Sequence, residues 1–261
     1  MPHNEDSVTL HSKQSSTVVS RRKFLSAASA TIAAVGASLL LTPTVARSET
    51  EPQIVWSTSQ WKIDDFRKLV EDKAPVKQLF DARAINQGKF VDEMKNSLNA
   101  LHFGFGVPVD HIKLVGALHG PANLLNFDDY VWNKYHIGAW LQANDPDTGK
   151  PATKNPFYRS RTSTSPDYNS TDPDNMNSRF QDASIDTLYK RGVQFCCCHT
   201  ALEEQAKVLV KHNGLSMNSE ILVEEMLRHT LPGVLAVASM VSAVSAIALL
   251  QLQGHYSYIS V

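Results

Sequence analysis

From residue 76 to the C-terminus, short runs of apolar residues alternate with longer stretches in which apolar positions recur every three or four residues. Short continuous apolar runs suit strands buried on both faces, and the periodic stretches suit amphipathic helices. The pattern predicts strands over residues 76–80, 112–118, 193–198, 234–238 and 255–259. Between them it predicts a helix over 88–100 with Phe90, Val91, Met94 and Leu98 on one side, and another after His119-Gly120-Pro121 carrying Leu124, Leu125, Tyr130 and Val131. A third helix is expected over 183–190. A further helical region runs to Arg228, where Leu231-Pro232-Gly233 stops it, and a buried helix spans 240–251. Five strands with helices between them imply an α/β fold, a doubly wound, mainly parallel five-stranded sheet covered by helices on both faces.

Two stretches depart from this rhythm. Residues 142–177 are dense in Pro, Asp, Asn, Ser and Thr and read as a polar insertion over or beside the ligand crevice, of low local stability. Its two Asp-Pro-Asp triplets, at 145–147 and 172–174, read as turns, because neither continues into a calcium-binding loop. Residues 233–254 carry no charge, which raises a membrane span as an alternative. A strand followed by a core helix is preferred, since Ser239, Ser242 and Ser245 give one helix edge a polar character and Gln251 and Gln253 interrupt its end.

The N-terminus is read separately. Ser20-Arg21-Arg22-Lys23-Phe24-Leu25, followed by an uncharged run over 26–41, reads as a twin-arginine export signal whose functional residues are Arg21 and Arg22. Small residues at Thr44 and Ala46 suit signal peptidase. The expected organisation is a removed leader over 1–46, an irregular segment over 47–75 around Trp56 and Trp61, and the α/β domain over 76–261. Retention of the leader as a membrane anchor is the alternative. This address is the periplasm, with the twin-arginine translocase as a partner during export. Without the leader 21 basic and 24 acidic residues remain, and no basic run suggests nucleic acid.

The three cysteines, Cys196, Cys197 and Cys198, are adjacent and followed directly by His199. Adjacency argues against a stapling disulfide within one chain, which leaves packing or chemistry. Strand alternation turns Cys196 and Cys198 one way and Cys197 the other. Open α/β sheets bind ligands at the carboxyl ends of their strands. Cys198 and His119 each end a predicted strand and are therefore expected to face one crevice, Cys198 as an exposed, acidic nucleophile before a helix and His119 as acid or base. Asn123 and Asn126 lie just beyond His119 as ligand-binding candidates. His199 is a further one, although a solvated surface histidine is the preferred reading there. Glu203, one helical turn from His199, completes a loose metal-ligand set with His119, Cys198 and His199, with no metal or cofactor specified. A haem-attachment motif is not met.

Phe80-Asp81-Ala82-Arg83, Leu118 to Ala122 (LHGPA), Gly192 to Leu202 (GVQFCCCHTAL), Leu231 to Val234 (LPGV) and Leu250 to Ile259 (LQLQGHYSYI) resemble the DsrE-like proteins. FDDYVWNKYHIG (127–138) and DPDTGKPATKNPF (145–157) suggest exported members of that group. The resemblance spans the chain from about Trp56. It implies a flavodoxin-like fold, assembly into homo-trimers or hexamers, and a persulfide-bearing cysteine at the end of a central strand, which Cys198 matches by position. His199 to Leu202 departs from the turn of the sulfur-relay members, and those work in the cytoplasm. Two function classes follow. One is a periplasmic sulfur or thiol protein acting on a small sulfur-containing molecule or a partner thiol protein. The other is a non-enzymatic ligand-binding or assembly module of the same fold, with metal binding as one form of it.

Overall fold

Five apolar runs form the strands β1 (Val76–Ala82), β2 (Ile112–Leu118), β3 (Gln194–Cys198), β4 (Leu235–Val237) and β5 (Ser257–Ser260). They build one all-parallel sheet in the order β4-β3-β2-β1-β5. The computed structural model describes residues 63–237 and 243–261. Arg21, Arg22, Trp56, Trp61, Ser239 and Ser242 lie outside the described residues. The chain divides into residues 1–53 and the unit Ile54–Val261, which holds every element described here.

Side-chain alternation gives the sheet two apolar faces. Phe80, Ala82, Leu114, Leu118, Phe195 and Cys197 enter the larger core, and Leu79, Val115, Ala117, Cys196 and Leu235 enter the smaller one. Gly116 makes room for the Phe195 ring, whose Cδ1 lies 3.0 Å from where a Cβ would stand. The larger core is covered by α2 (Lys89–Asn99), α3 (Asp129–Lys134), α5 (Ile185–Lys190), α6 (His199–His212) and α7 (Ser219–Arg228), with α4 (Ile137–Leu141) beside α3. The smaller is covered by α1 (Ile63–Val70) and α8 (Ala243–Leu252). The topology requires this split. The connections from β1 to β4 all step one way along the sheet, and the last returns past β1, so right-handed crossovers put α8 on the opposite face. The result is a flavodoxin-like α/β fold with helices on both faces.

Two expectations change. The segment over 47–75 is not wholly irregular, because residues 63–70 form α1 and bury Phe66, Leu69 and Val70. The single helix after His119 is two pieces. A 3₁₀ helix, Gly120–Asn126, ends where the Asn126 carbonyl accepts Leu231 N–H at 2.8 Å, and Asp128 then caps α3 by accepting from Tyr130 and Val131 N–H. The C-terminal helix is described from Ala243, and its 10 residues bury Ala243, Ala246, Ile247 and Leu250. Among the described residues no helix is long and apolar enough to cross a membrane.

The polar stretch is tied down by buried polar side chains. Asn155 donates to the carbonyls of Leu125 and Phe127 at 2.8 and 2.9 Å. Asp182, just beyond the stretch, accepts from the hydroxyls of Ser160, Thr162 and Thr187 and from Ser184 N–H. Burial opposes its charge, but those donors hold the carboxyl below the usual range.

Candidate functional site

Cys198 stands where β3 becomes α6. Its sulfur caps that helix, accepting Ala201 N–H at 3.5 Å, and it accepts Ala243 N–H of α8 at 3.4 Å. Two backbone donors thus converge on one sulfur. The other two cysteines lack such a setting. Burial pushes the Cys196 thiol up to about 12 and raises that of Cys197 as well, with the neighbouring Cys198 adding to the second shift. As strand alternation requires, Cys196 and Cys197 enter opposite cores. Cys198 packs with Ala201 and Ala243, on the side of α8. That contact corrects the expectation of an exposed nucleophile, since Cys198 is only 5% exposed.

Asn123 and Asn126 are brought to this site, but not as ligand donors to an open crevice. Both are buried. Asn123 accepts Cys198 N–H at 2.9 Å and donates to Cys198 O at 3.3 Å and Gln205 Oε1 at 3.1 Å. Asn126 donates to Asn123 Oδ1 at 3.3 Å and to Cys196 O at 3.4 Å. The pair ties the Gly120–Asn126 turn to the end of β3 and fixes the backbone that carries Cys198.

The strand register continues from Leu118 opposite Cys197 to His119 and Cys198, one step on. The two make no hydrogen bond to each other. His119 is instead held by a residue that the sequence did not single out. Its Nε2 hydrogen-bonds Asp81 Oδ1, and Asp81, at the end of β1, is 1% exposed. Tyr258 of β5 donates to the other carboxylate oxygen at 2.5 Å, and Arg83 Nε lies 3.6 Å from it. That hydrogen bond raises the Tyr258 pKa, keeping the phenol protonated. Each Asp81 oxygen thus has its own partner, and His119 is held through Nε2. Asp81 sits at the border of β1 and β5, where strand order reverses and such sheets bind ligands. Phe80-Asp81-Ala82-Arg83 contained the signal, as a carboxylate at the end of an otherwise buried strand.

His199 is buried rather than solvated, with Nδ1 3.2 Å from Glu203 Oε1. Burial lowers its pKa against the pull of Glu203, which favours the neutral ring. The set His119, Cys198, His199 and Glu203 is not brought together. Among the described residues no three His, Cys, Asp or Glu side chains gather closely enough to hold a metal ion. The ends of β3 and β2 thus carry a capped sulfur and an imidazole held by a carboxylate, group types suited to nucleophilic and proton-transfer chemistry. Comparisons of the chain with family models, curated proteins and solved structures gave no match.

Proposed function

We propose that the chain is a periplasmic, DsrE-like sulfur carrier that holds sulfane sulfur on Cys198, acting on a small persulfide or polysulfide or on a partner thiol protein as a homo-oligomer. The observation that carries this reading is the pair of backbone N–H groups, from Ala201 and Ala243, on the Cys198 sulfur. In the step it supports, the Cys198 thiolate attacks the terminal sulfur of R–S–SH. The new Cys198–sulfur bond forms, the S–S bond of R–S–SH breaks, and R–S⁻ leaves. Protonated His119 gives its proton to R–S⁻, so that R–SH departs and Cys198 persulfide remains, with no net oxidation. Asp81 steadies the imidazolium. The periplasmic address is supported by Arg21 and Arg22 and the uncharged run behind them.

The burial of Cys198 favours a second reading, a binding or assembly module in which the cysteine row is core. Incubation with polysulfide, followed by peptide mapping under non-reducing conditions, separates the two. Sulfur carriage predicts one added sulfur on the peptide bearing Cys198 and none in Cys198→Ser. Absence of the adduct on native protein, with full labelling after unfolding, selects the module.

A further inference from the structure

A cavity of about 670 Å³ lies between the loop that follows β1 and the start of the polar stretch after α4. Four carboxamides line it, Asn86 and Gln87 from the first and Gln142 and Asn144 from the second, over a floor that includes Ile85 and Phe157. No charged side chain lines it. None of the four amide side chains hydrogen-bonds within the described part of the protein. The neighbouring cavity has Arg159 and Arg161, but these lie 3.7 and 3.0 Å from the carboxylates of Asp129 and Asp147.

Three of the four residues are held in the left-handed region, Asn86 at φ 40°, Gln87 at φ 53° and Gln142 at φ 54°. Asparagine tolerates this, but glutamine gains nothing there that glycine would not supply with less strain. Gln142 in particular caps α4 at the position where glycine is the usual residue. The loop is fixed in this shape at Gly88, where a Cβ would come within 2.4 Å of the Phe157 ring. The three strained residues are exposed and line one cavity, where backbone strain points to a working site.

We propose that this cavity binds an uncharged, hydroxyl-bearing ring, the chemistry of a hexose, either free or at the end of a glycan chain. Each carboxamide presents a donor and an acceptor side by side, as paired ring hydroxyls require. Phe157 and Ile85 offer an apolar surface for the ring face, and the volume is that of a small-molecule site. The proposal is independent of any sulfur chemistry at Cys198.

The test is NMR of the isotope-labelled full chain, following the side-chain NH₂ signals of Asn86, Gln87, Gln142 and Asn144. The probes are glucose, N-acetylglucosamine, their β-1,4-linked disaccharides and glucose 6-phosphate. Neutral sugars should shift these four signals saturably, with disaccharides tighter if a glycan end is the ligand and equal if a free sugar is. Gln87→Gly and Gln142→Gly should each raise Tm, because strain is relieved, and weaken sugar binding about tenfold or more. The proposal is overturned if no neutral sugar moves these amides, if the phosphorylated sugar is preferred, or if the glycine variants bind as well as the native chain.

Discussion

In the proposed reaction, Asp81 is the residue on which the chemistry turns after Cys198 itself. Its carboxylate fixes which imidazole nitrogen of His119 carries the proton, a role that an amide, with one donor and one acceptor, fills ambiguously. Asp81→Asn is therefore expected to slow sulfur loading of Cys198 by about 100-fold, the scale of a lost acid–base partner. In the same variant, ¹⁵N NMR of His119 should change from one tautomer, protonated at Nε2, to a mixture. Unchanged loading, or an unchanged tautomer, contradicts the assignment. Cys198 and His119 were legible in the sequence because each ends an apolar run. Asp81 was not singled out, because it sits inside what reads as the exit of a buried strand. Asn123 and Asn126 were legible as polar residues near the site. Their direction, toward the Cys196 and Cys198 backbone, depends on the 3₁₀ turn, which periodicity alone does not reveal.

At the scale of elements, the five strands and most helices follow from the apolar pattern, since burial on both faces leaves little alternative for β1, β2 and β3. The errors fall where short-range polar interactions outweigh the pattern. Asp128 starts a new helix at a point where the periodicity of Leu124, Leu125 and Val131 continues unbroken. The polar stretch reads as a loose insertion by composition, yet buried Asn155 within it and Asp182, which accepts from Ser160 and Thr162, anchor it. Asp182→Asn is expected to cost about 1–3 kcal/mol at neutral pH, as for a buried carboxylate losing charge-assisted hydrogen bonds. The sign of its pH dependence follows from its depressed pKa. The carboxylate stabilises the fold above the usual carboxylate range, and this contribution is lost as pH falls through the lower, folded-state value. The stability gap between native and variant, measured by urea unfolding, should accordingly close below about pH 4. A gap that is the same at pH 7 and pH 3 would assign the loss to packing.

The whole molecule joins a parallel α/β domain to an N-terminal segment that carries Arg21 and Arg22. Replacing both arginines by lysine should leave full-length precursor in the cytoplasm, read by fractionation and immunoblotting, and normal processing of that variant would refute the export reading. Fold class was visible in the order of apolar runs, whereas the reversal that brings β5 beside β1, and with it Tyr258 to Asp81, is a property of the assembled sheet. The central claim of the proposed function is that Cys198, alone among the three cysteines, reacts in the folded protein. It is tested most directly by iodoacetamide alkylation of the native chain across pH 5 to 9, with each cysteine followed by peptide mapping. The account predicts that Cys198, which accepts two backbone N–H groups, is modified first, at a rate well above its unfolding rate, while Cys196 and Cys197, whose thiols burial keeps protonated, stay unmodified. Modification of all three only as fast as the protein unfolds would contradict it and make the row of cysteines a packed strand.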